Sequence, residues 1–351
     1  MCDIEKRVLT ISSTFDPPKG GIAQIVYNYC KFVFNTFYFV PAGKSERSIQ
    51  SYTLAIIHPF RMVWQFIKHP TIRVVHIHTC SYKPFKHACF TARIAKLFGK
   101  KVVMHMHGGG FKDYYNKEKD FVRKQILKID GIIALSPSWK DFYSDVVGAK
   151  NVCVVPNIVP EPKIFEKEKL NGCFNLLYLG HINKAKGIFD LVEMIKENHD
   201  EYRGKMMLHI GGGMFEEEKL KQFVLEHQLQ DVVTMHGWVI GDDKAKLLSN
   251  ADAFILPSYV EGQPVSIIEA MSYGLPILST KVGGIPEMVA DGGNGFLFEP
   301  GDKKNMKCLI NKLIDDKELR VSMSKKSKEL SAVYMPTKVR ETLFDFYNKL
   351  I

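Results

Sequence analysis

Short apolar runs alternate with longer amphipathic segments along the whole chain, the pattern of parallel strands covered by helices. In the first half the runs predict strands over 7–12, 73–78, 101–107, 131–135 and 152–155, with a weaker one over 35–40. In the second half they predict strands over 175–179, 205–210, 232–236, 253–256 and 276–279, and a short, edge-like one over 295–298. Helices fit between them, for example over 188–198, 216–227 and 244–250. The alternation breaks over 156–172, where Pro156, Pro160 and Pro162 precede a charged run, as in a linker. Strand–helix alternation thus occurs twice, and a chain of 351 residues suits two domains of roughly 150 residues each. The expected division is 1–160 and 161–336.

Composition changes this picture little. Hydrophobic residues make up 46% and charged residues 25%, enough for both domains to bury a core. No stretch approaches the ~20 uninterrupted apolar residues of a membrane-spanning helix. The first residues lead into a strand without the apolar segment and cleavage site of a signal peptide. The seven cysteines are scattered and never form a CxxC pair, which reads as reduced thiols in a cytoplasmic protein.

Charge is more informative. Residues 1–163 hold 24 Lys and Arg against 11 Asp and Glu, a net of +13, and the remainder of the chain nets −3. A solvated basic face is one reading, and attraction to an anionic surface is the other. Between Leu54 and Lys101, aromatic and basic residues interleave, among them Phe60, Arg61, Trp64, Phe66, Lys68, Phe90, Arg93 and Phe98. An amphipathic basic surface of that kind suits peripheral docking on anionic lipid. Nucleic acid is not expected, because no known binding module is present and the other half is slightly acidic.

Several predicted strands end in glycine or a small polar residue: Gly180, Gly211 to Gly213, Gly237, Ser258 and Thr280. In open parallel sheets ligands bind at the carboxyl ends of strands. After Gly180 and His181 a polar turn leads to Lys186-Gly187 at the opening of a helix, where a lysine strengthens the positive end of the helix and suits a diphosphate. Alone, such a lysine is commonly just solvated.

The segment from Pro257 to Pro276 is more telling. Pro264 suits a first helical position, and Gly274 and Pro276 suit a helix stop. The amides of Val265, Ser266 and Ile267 would then be free to face an anion. Glu269 lies about 7 Å further along the axis at 1.5 Å per residue, near the span from a diphosphate to the ribose of the same nucleotide. Glu261 precedes the helix, on the side where a donor sugar would lie. A lone carboxylate on a helix as apolar as Ile267-Ile268-x-x-Met271 needs a partner. A glycine pair follows at Gly283-Gly284, allowing close backbone approach.

Taken in order, strand–Gly–loop–Lys-Gly, Glu-x7-Glu, Gly-Gly-Ile-Pro-Glu and Asp291-Gly-x-x-Gly295 resemble the family 4 glycosyltransferases, over nearly all of the second half. The resemblance implies an α/β GT-B fold, two doubly wound Rossmann-like domains facing each other across a cleft, with the last helix, 337–351, packing back on the first domain. It further implies that Lys186 binds the donor diphosphate, Glu261 the sugar hydroxyls and Glu269 the ribose. The amides of Val265 and Ser266 would hold phosphate oxygens, and the turn at Gly237 and Trp238 the base. The family usually has arginine where this chain has His181, a group titrating near pH 6.5 instead of a fixed cation. Gln263-Pro264 stands where many relatives have an aromatic–glycine pair, which bears on the choice of sugar.

In the first half, Asp16-Pro-Pro-Lys19-Gly20-Gly21 joins a strand to a helix, and by the resemblance Gly20 and Gly21 close over the donor. Two pairs, His76-Ile-His78 and His105-Met-His107, end adjacent strands, and within each pair both side chains face one way. Zinc needs three or four ligands, usually with a cysteine or carboxylate nearby, so no metal is expected here. Backbone-bonded core histidines account for His76 and His105. His107, before three glycines, is read as substrate-facing, matching a family histidine that stabilises the transferred sugar.

The absence of an obvious carboxylate nucleophile or of an Asp-x-Asp motif implies catalysis by positioning and diphosphate stabilisation. The expected activity is a retaining, metal-independent transfer of a UDP-linked hexose, with no cofactor beyond the nucleotide-sugar donor. The acceptor is expected to be a glycan or lipid-linked hydroxyl in surface polysaccharide synthesis. A nucleotide-sugar 2-epimerase and a non-catalytic sugar-nucleotide-binding protein are the alternatives.

Overall fold

The computed structural model describes residues 4–18, 20–43, 49–167 and 172–351; Lys19 of the first glycine loop lies outside them. The chain divides into two compact units, Met1–Pro160 with Val333–Ile351, and Glu161–Ala332.

The first unit is built on six parallel strands: β1 (Val8–Ser13), β2 (Tyr38–Gly43), β3 (Val74–Thr79), β4 (Lys101–Met106), β5 (Gly131–Ala134) and β6 (Val152–Val154), in the order β2-β1-β3-β4-β5-β6. Period-two alternation divides the sheet into two unlike faces. One is apolar: Leu9, Ile11, Val75, Ile77, Val102, Met104 and Met106 pack against Met62, Phe66, Phe85, Ala92, Phe111 and Tyr114 from the covering helices. The other is polar and equally buried. Thr10 lies beside His76, and His78 beside His105, in the strand register.

That polar face is covered in part by the Pro336–Asn348 helix. The Tyr347 hydroxyl is hydrogen-bonded to His76 Nδ1 at 2.6 Å, and Arg340 pairs with Glu5. At Gly131 an added Cβ would come within 2.7 Å of the Phe346 ring, so the helix sits where only glycine leaves room.

The second unit has β7 (Phe174–His181), β8 (Met206–Gly213), β9 (Val233–Gly237), β10 (Ala253–Leu256), β11 (Ile277–Thr280) and β12 (Gly295–Phe298), all parallel, in the order β12-β11-β10-β7-β8-β9. The direction of strand progression reverses between β7 and β10, the crevice position at which doubly wound sheets bind ligands. Every strand read from the sequence is present, displaced by at most three residues at an end. No helix among the described residues is long and apolar enough to cross a membrane.

Candidate active site

The loops leaving β7 and β10 meet at the switch point, where the Tyr259 amide donates to the Ala185 carbonyl at 2.8 Å. After β7 the chain makes a 3-10 turn over Lys184–Lys186, capped by Asn183, whose side chain accepts from the Lys186 amide at 3.1 Å. Gly187 follows with φ +66°, and a Cβ there would stand 1.9 Å from the Pro257 carbonyl oxygen. The Lys-Gly pair is therefore a packing requirement as well as a helix opening. The tight turn aims Lys186 Nζ at Glu261 Oε1, 2.6 Å away, and the Ser258 hydroxyl donates to the same oxygen at 2.8 Å.

Glu261 is nearly buried, and Lys186 is about a quarter exposed. Gly283, with φ +56°, brings its α-carbon so close that a Cβ would lie 1.8 Å from the Glu261 carbonyl oxygen. The Gly284 amide donates to the Gly262 carbonyl at 2.7 Å. The glycine pair thus clamps the backbone that carries Glu261. Removing one partner from such an enclosed ion pair costs about 3–5 kcal/mol, because the other charge stays behind.

The next helix spans Val265–Ser272, one residue later than the sequence suggested. Pro264 is extended at ψ 120° and forms its cap instead of its first turn. The Ile267 amide donates to the Pro264 carbonyl at 3.2 Å, so of the three amides expected to be free, this one is engaged. Val265 and Ser266 remain as the first two amides ahead of the helical ladder. Gln263 and Pro264 are buried under the loop. Glu269 has the partner its apolar helix demands: Lys244 Nζ lies 2.5 Å from its Oε1, with both side chains mostly enclosed.

At the end of β7, the His181 ring lies 5.3 Å from the Phe215 ring and 5.4 Å from that of Trp238. Burial, and then the nearby Lys186 ammonium, holds the His181 imidazole below its ordinary value, so it is neutral at pH 7. Tyr178 donates to the His181 carbonyl at 2.8 Å across Gly180. Gly237 ends β9 with φ +67°, and Trp238 beyond it is 41% exposed. The second unit thus brings together Lys186 with Glu261, Glu269 with Lys244, and His181 with Trp238.

In the first unit, Gly20 caps the Gly21–Asn28 helix at φ 101°, and a Cβ on Gly21 would meet nothing within 4 Å. His107 is 4% exposed, with Nε2 hydrogen-bonded to His78 Nδ1 at 2.9 Å. It belongs to a stack of histidines, which corrects its reading as an open, substrate-facing group. Nor are His76 and His105 bonded to backbone: His76 Nδ1 meets the Tyr347 hydroxyl, and neither nitrogen of His105 has a partner.

Residues 160–330 match the family described as glycosyl transferases group 1, and residues 36–161 match glycosyltransferase family 4. The chain is a family 4 glycosyltransferase. An uncharacterized glycosyltransferase of Methanocaldococcus jannaschii is 27% identical over 94% of this chain and 85% of its own length. The N-acetyl-alpha-D-glucosaminyl L-malate synthase of Bacillus anthracis is 24% identical over 85% of this chain and 80% of its own. Sucrose-phosphate synthase from Thermosynechococcus elongatus shares the fold at TM-score 0.78 and 17% identity, each chain 98% covered. HepE of Anabaena, solved in complex with UDP-glucose, does so at TM-score 0.76 and 15% identity over 97% of this chain and 99% of its own. The architecture is GT-B.

Sequence reasoning missed two residues of this glycosyltransferase's crevice. Lys244 is one of two lysines on the Gly241–Asn250 helix, and only the fold selects it over Lys246. Ser258 was noted as a small strand-end residue, but its bond to Glu261 needed the tight turn between them. A carboxylate three residues after a serine at a strand end was the available signal.

Proposed function

We propose that this glycosyltransferase moves a hexose from a UDP-linked donor to a hydroxyl of a glycan or lipid-linked acceptor, retaining anomeric configuration, in surface polysaccharide synthesis. The observation that carries the donor side is the pair of enclosed carboxylates, Glu261 just before one helix and Glu269 within it, each held by a lysine. Both bonds to Glu261 end on Oε1, which leaves Oε2 for a sugar hydroxyl. Lys186 turns to the diphosphate, whose other oxygens take the Val265 and Ser266 amides. Glu269 accepts from the ribose, and Gly237 and Trp238 hold the base. The likeness in fold to HepE, solved in complex with UDP-glucose, supports uracil as that base.

Catalysis in this scheme is positioning together with stabilisation of the departing diphosphate, which takes the acceptor's proton. Lysine charge stands in for a metal at the phosphates. In the first unit, Gly20 and Gly21 belong to the donor loop in this scheme. The deciding experiment incubates the enzyme with a panel of UDP-hexoses, with and without a hydroxyl acceptor. Acceptor-dependent UDP release is expected. Epimer formed from donor alone would make the protein a 2-epimerase, and binding without turnover would make it a non-catalytic receptor.

His181 gives a second test of the diphosphate site. Because it is neutral at pH 7.5, His181→Arg adds a charge that can stack on Trp238 and reach phosphate. UDP is expected to bind about tenfold more tightly, by calorimetry. An unchanged Kd would place the phosphates elsewhere.

In this reading the acceptor lies at a membrane surface, with the enzyme on its cytoplasmic face. On the Ile49–Lys68 helix, His58, Met62 and Phe66 face inward, yet Ile56, Phe60, Trp64 and Ile67 recur on the outer side, Phe60 at 74% and Trp64 at 62% exposure. Arg61 and Lys68 flank them. The neighbouring Lys83–Leu97 helix, joined through His58 and Thr91 at 2.9 Å, adds exposed Phe90 and Leu97. Such an apolar stripe rimmed by positive charge fits anionic lipid. Co-sedimentation with phosphatidylglycerol vesicles is expected to fall at least about tenfold on the double change Phe60→Ser and Trp64→Ser, at about 1.5–3 kcal/mol per buried aromatic. Equal recovery of the two proteins would remove this surface from the proposal.

A further inference from the structure

Four imidazoles are packed into the polar face of the first sheet: His76 and His78 from β3, His105 at the end of β4 and His107 just beyond it. Their rings stack, with centroids 4.4 Å apart for His76 and His78, 4.9 Å for His78 and His105, and 5.4 Å for His76 and His105. Three of the eight ring nitrogens have partners: His76 Nδ1 with Tyr347, and His78 Nδ1 with His107 Nε2. The other five are buried with none, namely Nε2 of His76 and His78, both nitrogens of His105, and Nδ1 of His107. Each unpartnered polar atom in a core costs about 1–3 kcal/mol, and apolar side chains would avoid that cost. A fold that keeps this many together keeps them for a ligand.

The kind of ligand follows from the donor set. One nitrogen from each of His76, His78 and His105 lies within 4.8 Å of the others. Each ring carries at least one nitrogen with no partner, open to an ion. Neutral imidazoles are poor partners for an anion and for the hard ions Mg2+ and Ca2+, but are common ligands of zinc and its late transition-metal neighbours. The sheet register supplies the third ligand that neither His-x-His pair holds alone, since His78 stands beside His105. Tyr29 lies 6.2, 5.6 and 6.1 Å from the three rings, and its hydroxyl is also buried without a partner.

We propose that His76, His78 and His105 form a structural site for one zinc-class ion, with an oxygen, the Tyr29 hydroxyl being the one at hand, in the fourth position. Bonds of about 2.1 Å require the three nitrogens to come to about 3.4 Å apart. Coordination through His78 Nε2 leaves the proton on Nδ1, which donates to His107 Nε2, so His107 carries its own proton on Nδ1. Coordination through His76 Nε2 likewise makes Nδ1 the donor to the Tyr347 oxygen. The ion thereby ties β3 and β4 to the C-terminal helix and selects one tautomer of His107.

The test uses the full chain without an affinity tag. Elemental analysis after dialysis is expected to find about one zinc per chain. Chelator-treated protein is expected to develop the visible absorption of tetrahedral cobalt on adding Co2+, and to gain about 5 °C in Tm with Zn2+. His105→Leu should abolish the cobalt spectrum and the Tm gain, while His236→Gln, outside the cluster, should leave both. Wild-type protein that holds under a tenth of an equivalent and shows neither a cobalt spectrum nor a Tm shift would overturn the site and make the cluster a purely polar core. Because these readouts do not depend on glycosyl transfer, their failure is separate from failure of the proposed function.

Discussion

Lys186→Ala is expected to lower kcat/KM for sugar transfer by about a hundred- to a thousandfold, the usual loss when one fixed group facing developing charge is removed. Two effects combine. The diphosphate loses its nearest cation, and Glu261 is left enclosed with only the Ser258 hydroxyl for a partner. The second effect is separable, because the Lys186→Ala, Glu261→Ala double variant no longer carries the orphaned carboxylate. Its stability should exceed that of Lys186→Ala, while its activity falls no further than that of the worse single variant. Steady-state kinetics and thermal melts on the three proteins check both statements. A Lys186→Ala enzyme within threefold of wild type would show that the diphosphate is held by other groups.

Gly283→Ala is expected to be nearly as damaging by a wholly different route. A left-handed alanine costs about 1–2 kcal/mol before any contact is considered. Here the new methyl also lands 1.8 Å from the Glu261 carbonyl oxygen, a backbone atom that moves only with its loop. A total near 3 kcal/mol is expected to lower Tm by roughly 6–12 °C in a unit of this size. The displaced loop carries Glu261 away from Lys186, so kcat should fall together with stability. Gly292→Ala is the control: it has a similar φ of +75° but no atom within 4 Å of the new methyl, and it should show only the backbone cost. A Gly283→Ala protein that melts within 2 °C of wild type would refute the clamp.

The parallel sheets were legible because strands buried on both faces read as continuous apolar runs, as in β10. The least certain strand, β2, proved to be an edge strand whose residues are mostly half-buried, which is why its run is weak. Donor-site candidates near one another in sequence were also legible, since turn and helix chemistry constrain them locally. Two features were not. The Lys244–Glu269 contact joins a helix after β9 to one after β10, and nothing in the spacing of 25 residues selects Lys244 from its neighbours. The histidine stack arises from the register of β3 on β4. The sequence shows two pairs but not that His78 sits level with His105, so single-strand reasoning assigned His76 and His105 ordinary backbone partners. Pro264 differs by a single position, because its extended ψ places it before the helix and not within it.

The assignment of Val333–Ile351 to the first unit bears on the order of events during synthesis. The second unit is continuous in sequence and can close as soon as it leaves the ribosome. The first unit, although begun earlier, lacks the helix that supplies Tyr347 to His76 and Phe346 to the gap at Gly131 until those residues emerge. Its polar face therefore waits without that part of its cover through the time needed to translate its neighbour. At about 5–20 residues per second, the 172 residues of Glu161–Ala332 impose a delay of roughly ten to thirty seconds. The unit begun before its neighbour is thus finished after it.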